Sequence, residues 1–387
     1  MKQLLQDNFE QISSCPPSMP WRFLDLLRAD NPRVLTFTAI AVGLAWVPPA
    51  ILSLLHGWAA FLSFLADYAS QSRFVVILPV LILAAPILNN RLGLVAHHFE
   101  AFVPQHQFSR FQANWNSFQR LRDSILVQAM TALLTYAAVA AVGRYVSAEA
   151  AAVLPWWEGD GGFRWFSPAG TYTLFISYPI LVYFTLLWLW RQLLWTRFMH
   201  STACLDLRLI AAHPDGLGGL GFLEASLRGQ LPFSFCLGAG LAGAVANRVL
   251  HHGQKLSAFS QVVPVLVGAV LLVCVAPYFA FTPLLMQIRR RGLLEYGGIA
   301  HAVGEQFEEK WLDHPDRLNC DLMAVTEFSA VQNLYGVARN VNEIRMLPVG
   351  RVNLYLLIAA AFVPAIPVVI GAIPFDTLAR AAVKMLF

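Results

Sequence analysis

The chain alternates between long apolar stretches and shorter polar ones. Seven blocks with few or no charges stand out, at about 34–57, 74–90, 125–147, 171–190, 231–250, 262–287 and 352–374. At 1.5 Å per residue, most are long enough to cross a hydrocarbon layer of about 30 Å as a helix. Water is absent there, so each backbone N–H and C=O must be paired inside its own helix. The pattern therefore predicts an all-α fold, a polytopic transmembrane helical bundle of about seven spans. The second block is short, and its helix is expected to run on into the amphipathic stretch beyond Asn90. An eighth crossing, if there is one, would hide in Leu54–Ala69.

A different periodicity marks 288–351. Tyr296, Ile299, Val303, Phe307 and Trp311 recur at steps of three or four, as do Leu322, Val325, Phe328, Val331, Leu334, Val337, Val341 and Ile344. Each set lays an apolar stripe along one helix face. With His314-Pro315-Asp316 as the turn, this reads as a helical hairpin docked on the bundle or on a neighbouring subunit. The expected organisation is an N-terminal segment (1–33), a bundle of six spans (34–287) with polar loops at 91–123 and 191–230, the hairpin (288–351), and a last span with a short tail (352–387).

Composition agrees with a membrane setting: 57% of residues are hydrophobic and only 13% charged, against about 25% charged in an ordinary soluble domain. The net charge of +4 does not point to nucleic acid, because the basic residues alternate with the spans. Of 27 lysines and arginines, four lie in 1–33, four in 91–123, four in 191–230 and eight in 288–351. The other seven are Arg73, Arg144, Arg164, Arg248, Lys255, Arg380 and Lys384. The richer side is expected to be cytoplasmic, which puts the N-terminus and the hairpin inside and the C-terminus outside. Residues 1–33 are polar and broken by Cys15-Pro16-Pro17, so the first span is expected to act as an uncleaved anchor. Cys15, Cys204, Cys236, Cys274 and Cys320 show no ligand spacing and read as reduced thiols.

The most distinctive local sequence runs from Leu205 to Leu223 and contains His213-Pro214-Asp215 followed by Gly216, Gly218, Gly219 and Gly221. Glycines allow positive φ and close backbone approach. One reading is an anion or metal site with His213 and Asp215 as ligands or acid–base groups. The other is a capped, tightly packed turn where the chain re-enters the membrane. The run lacks the preceding strand of a dinucleotide fingerprint and the Lys-Ser/Thr of a P-loop. Arg197, His200 and Asp206 lie just upstream, and with His213 and Asp215 they form a set suited to a phosphorylated head group. There is no HExxH, paired intramembrane Asp motif or nucleophile elbow, so no catalytic residue and no cofactor is assigned.

None of the blocks carries Asp or Glu at its centre, where cation-coupled carriers usually hold a carboxylate. The outer span ends carry Arg144, Arg248, His251 and His252 instead. These read either as the mouth of an anion pathway or as side chains snorkelling to lipid phosphate. Prolines interrupt most spans, among them Pro48, Pro49, Pro79, Pro179 and Pro277. They open carbonyls either to ions or to neighbouring side chains. Gly238/Ala242 and Gly240/Ala244 form small-residue pairs that admit a close helix, within the subunit or across an oligomer interface. Trp156, Trp157, Trp165 and Phe166 in the long outer loop read as interfacial anchors in preference to an aromatic ligand platform.

His213–Leu223, Asn247-Arg248, Arg291–Gly297 and Gln306–Leu312 together resemble a family of uncharacterised bacterial multi-pass membrane proteins, from about residue 74 to the C-terminus. The resemblance implies a bacterial inner (plasma) membrane location and carries over no activity and no catalytic residue. Such proteins often have an acidic residue after an LILA-like run in span two, where this chain has Ala85-Pro86. The expectation from the whole sequence is an oligomeric channel or transporter in the lipid bilayer, favouring anions. The alternatives are a non-catalytic scaffold or sensor that binds a cytoplasmic protein through 288–351, and a membrane enzyme acting on a lipid-linked substrate.

Overall fold

The computed structural model describes residues 33–151, 155–157, 166–311 and 326–372, and among them the apolar blocks are helices. We number these α1 (Arg33–Leu55), α2 (Trp58–Leu65), α3 (Tyr68–Phe99), α4 (Phe108–Arg122), α5 (Ile125–Ala151), α6 (Pro168–Ala203), α7 (Leu231–His252), α8 (Val262–Val275), α9 (Thr282–Trp311), α10 (Thr326–Asn342) and α11 (Arg351–Phe362). Six helical stretches are long and apolar enough to cross a membrane. A seventh is counted when α4 and the start of α5, bent by 48°, are taken as one span. The expected extension beyond Asn90 is present, since α3 continues to Phe99. The Leu54–Ala69 stretch holds no crossing: α2 has eight residues, about 12 Å of helix, and starts after Gly57 at φ 130°.

The outside of the bundle is apolar. Leu55 (79% exposed), Leu133 (74%) and Leu272 (71%) project outward with many other large hydrophobic side chains. A monomer in water rarely exposes so continuous an apolar surface; a bilayer requires it. The inside is filled by Phe99, Trp188, Trp195, Tyr278 and Phe281, all buried. Trp188 of α6 stacks on Phe233 of α7 with centroids 4.3 Å apart.

Proline positions explain much of the inter-span hydrogen bonding. A proline has no N–H, so the carbonyl four residues before it loses its helical donor. Pro48 and Pro49 free the carbonyls of Leu44 and Ala45. Tyr172 Oη donates to the first at 3.1 Å and Ser177 Oγ to the second at 2.7 Å, both from α6. Pro277 likewise frees Val273, whose carbonyl accepts from Gln192 Nε2 at 2.8 Å. Pro79 and Pro179 each follow a π-helical turn, Ser72–Ile77 in α3 and Thr173–Ser177 in α6, where the backbone ladder is re-registered around the missing donor.

The small residues of α7 serve contacts within the subunit. A Cβ at Gly238 would overlap the Ala361 carbonyl of α11, and one at Gly243 would overlap Ser72 Oγ of α3. Trp156 and Trp157 correct the expectation of interfacial anchors. Each is only 1% exposed, in a cluster with Phe64 and Ala169, because α2 folds back and offers Phe64 edge-on to Trp156 at 5.1 Å. Trp165 lies outside the described residues.

Loop contacts sort the two sides of the bundle as the charge count does. On the basic side, Gln107 and Asp206 exchange two hydrogen bonds at 2.7 and 2.9 Å, and Arg345 N donates to Gly216 O at 3.0 Å. On the opposite side, His251 Nε2 lies 2.9 Å from Ala66 O. α9 continues from α8 through a 3₁₀ turn, Ala276–Phe281, and α10 packs back along α9 as a hairpin. The expected His314-Pro315-Asp316 turn lies outside the described residues.

Candidate functional site

Away from the basic side, spans two, four and five converge on a polar cluster. Asp67, 2% exposed, caps the first turn of α3. It accepts from Ser70 N at 3.1 Å, Ser70 Oγ at 2.7 Å and Asn247 Nδ2 of α7 at 2.8 Å. Six residues on, Arg73 Nη1 donates to Tyr178 Oη at 2.6 Å, and its guanidinium carbon lies 5.5 Å from the same ring's centroid. Arg73 sits in the π-helical turn of α3, and Tyr178 directly follows that of α6. Gln71 closes the cluster, accepting from Trp46 Nε1 at 2.7 Å and donating to Phe64 O at 2.9 Å. Among the described residues no carboxylate lies within ion-pair distance of Arg73, whose partners are a neutral hydroxyl and a ring.

Sequence reasoning singled out neither Arg73 as a site nor Asp67. Asp67 falls outside the apolar blocks and enters the bundle only because the chain turns back through α2. The signal available was one acid, with Arg73 six residues on, in an otherwise uncharged stretch between two spans. Of the basic residues expected at the outer span ends, Arg248 and His251 are exposed on α7 next to this cluster, and the His251 ring lies 6.1 Å from that of Tyr68. The side chains of Arg144 and His252 lie outside the described residues.

On the basic side the glycine-rich loop is organised around Asp215. Its Oδ1 accepts from Leu217 N at 2.8 Å and Gly219 N at 3.1 Å, and its Oδ2 from Gly221 N at 2.9 Å. His213 Nδ1 lies 2.9 Å from Oδ1. Three backbone amides and the His213 ring thus converge on one carboxylate. Partial burial opposes the charge, but the amides of Leu217, Gly221 and Gly219, with His213, outweigh it and hold the carboxyl below its ordinary value. Gly216, Gly218 and Gly219 have φ of 63°, 66° and 100°, a region costly for other residues. Gly221 has no positive φ; a Cβ there would lie 3.1 Å from Asp215 Oδ2. Among the described residues no group of three or more His, Cys, Asp or Glu side chains is arranged to hold a metal ion.

The loop is a joint between the hairpin and the spans. Arg345, just beyond α10, donates from Nη2 to Asp215 O at 3.2 Å and pairs through Nη1 with Glu224 at 3.6 Å. Glu224 accepts from Asn353 Nδ2 of α11 at 2.7 Å, and Asn353 Oδ1 accepts from Arg228 Nε at 2.9 Å. The proposed head-group set divides among separate partners: Asp206 with Gln107, His213 with Asp215, and Arg197 on the face of α6 that meets α4.

Protein-family models, curated proteins and solved structures offer no match to the chain. Fold and surface define its class: a multi-pass α-helical membrane protein with six or seven spans among the described residues.

Proposed function

We propose that this protein is a channel or transporter for a small anion, with the cluster around Arg73 at one end of the pathway. Arg73 carries the reading. A guanidinium set inside a span is costly in hydrocarbon and by default marks a functional path, and this one has no acid partner within 4 Å among the described residues. Asp67, the nearby carboxylate, already accepts three hydrogen bonds. Arg248 and His251 beside it favour anions over cations. The filled interior of the subunit supports a pathway between copies, in a homo-oligomer, or one opened by movement of the spans.

The charge asymmetry supports a cytoplasmic N-terminus and hairpin, and the resemblance of the 213–223 loop supports a bacterial inner membrane. The test is flux through purified protein in liposomes, with chloride and potassium gradients imposed separately. Wild-type protein passes chloride in preference, Arg73→Gln cuts the chloride flux at least tenfold, and Arg73→Lys retains part of it. No flux from folded, inserted wild-type protein, or equal flux in Arg73→Gln, defeats the proposal.

A second reading, a sensor or scaffold acting through the hairpin, is favoured by the Arg345–Glu224–Asn353–Arg228 chain of contacts, which ties the hairpin's end to the last span. Stoichiometric co-purification of a cytoplasmic protein, weakened in Arg345→Ala, would support it over transport.

A further inference from the structure

A second basic site lies where α4 crosses the basic end of α6. Phe111 and Phe118 of α4 are buried against Trp195 and Phe198 of α6, which leaves the polar side of α4 exposed. Between the two helices is an open cavity of about 510 Å³, lined by Arg120, Arg197, Asn116, Ser117 and Leu121. A second, much smaller pocket shares Ser117, Leu121 and Arg197 with it and is bounded by Phe198 and Ser201. No acid lines either. The adjacent Asp123 is held by both Arg122 Nε and Nη2 at 2.7 Å. Two turns back along α6, Arg191 is 8% exposed, and its Nε and Nη1 have no hydrogen-bond partner among the described residues. It adds positive potential from within the protein.

We infer that this cavity binds the phosphate of an anionic phospholipid head group, with Arg120 and Arg197 on the phosphate oxygens and Ser117 and Asn116 as neutral donors. The size fits a small polar ligand, since binding cavities run from about 300 to 1,000 Å³. Paired guanidinium groups suit phosphate oxygens geometrically as well as by charge. Lipid, not a soluble phosphate compound, is favoured by the apolar rim: Leu121 lines the opening, and Leu193, one turn from Arg197 on the same face of α6, is 63% exposed. Basic pockets between membrane helices are a recurrent head-group site. The site is independent of the transport reading.

The experiment is native mass spectrometry of delipidated protein titrated with phosphatidylglycerol, phosphatidylcholine or glycerol phosphate. Wild-type protein retains one phosphatidylglycerol at least tenfold more strongly than phosphatidylcholine. Arg120→Gln/Arg197→Gln loses that preference, and Arg120→Lys/Arg197→Lys keeps part of it. Arg110→Gln, an exposed arginine of α4 outside the cavity, leaves it intact. Equal retention of the two lipids by wild type, an unchanged preference in the double Gln variant, or an equal loss in Arg110→Gln overturns the inference. Tight binding of glycerol phosphate without phosphatidylglycerol preference also overturns it, and assigns the cavity to a soluble phosphate compound.

Discussion

Asn247 of span five donates to the buried carboxylate of Asp67 at 2.8 Å, across 180 positions of sequence. The bond joins the start of α3 to the C-terminal third of α7 and fixes where Arg73 and Arg248 lie relative to each other.

Removing that donor leaves a carboxylate at 2% exposure with only its local Ser70 contacts. Asn247→Ala should therefore lower stability by about 1–3 kcal/mol, read as a drop in the apparent unfolding midpoint in detergent. Asn247→Asp should be worse, because it puts two acids together. If Asn247→Asp unfolds no earlier than Asn247→Ala, like-charge repulsion does not govern this contact and the argument for the amide donor fails.

The proline-freed carbonyls give a sharper test. Ser177→Ala deprives Ala45 O of its donor, and intramembrane hydrogen bonds of this kind contribute on the order of 0.6 kcal/mol, at most about 1.7. In a Pro49→Ala background the helix can donate to Ala45 O itself, so Ser177→Ala should become nearly neutral. A double-mutant cycle reads the difference directly. An equal cost in both backgrounds would mean that the serine acts through packing.

These pairs also mark what the sequence could and could not tell. The spans and the extension past Asn90 follow from apolar periodicity, a local property. The prolines were visible too, and with them the carbonyls they free. That Ser177, Tyr172 and Gln192 would meet those carbonyls depends on which span lies beside which, and no local pattern encodes that. The same limit hid Asp67, which belongs to a loop by composition and to the core by topology. Trp156 and Trp157 failed as anchors for the related reason that α2 covers them. In the glycine-rich loop the residue types were informative: Asp215 followed by glycines announced a carboxylate gathering backbone amides. Its joint with Arg345 came from 130 residues away.

The Asp215 carboxyl is held below its ordinary value of 3.8, so its charged form stabilises the folded loop. That stabilisation is complete above the ordinary value and is lost as pH falls through the lower, folded one. Asp215→Asn lacks it at every pH. Wild type should thus exceed Asp215→Asn in unfolding midpoint at pH 7, and the gap should close only below about pH 4. Other carboxylates titrate in the same range but are common to both proteins and cancel in the difference. A gap that has already closed above pH 5 would mean that the charge of Asp215 is not what stabilises the loop.

The joint between hairpin and spans has an exposed member and a buried one, and their consequences should differ. Arg345 pairs with Glu224 at 3.6 Å while its side chain is 47% exposed, so the ion pair itself contributes about 0–1 kcal/mol. Its backbone bond to Gly216 O survives truncation. Arg345→Ala should cost little and show mainly as lost salt dependence. Asn353 is 2% exposed and links Glu224 to Arg228; Asn353→Leu strands a donor and an acceptor on charged partners, at about 1–3 kcal/mol or more. If the hairpin moves with the last span through this residue, hydrogen exchange along α10 should quicken in Asn353→Leu and stay near wild type in Arg345→Ala. Equal exchange in all three proteins would make the hairpin an independently held appendage, its position set by α9 alone.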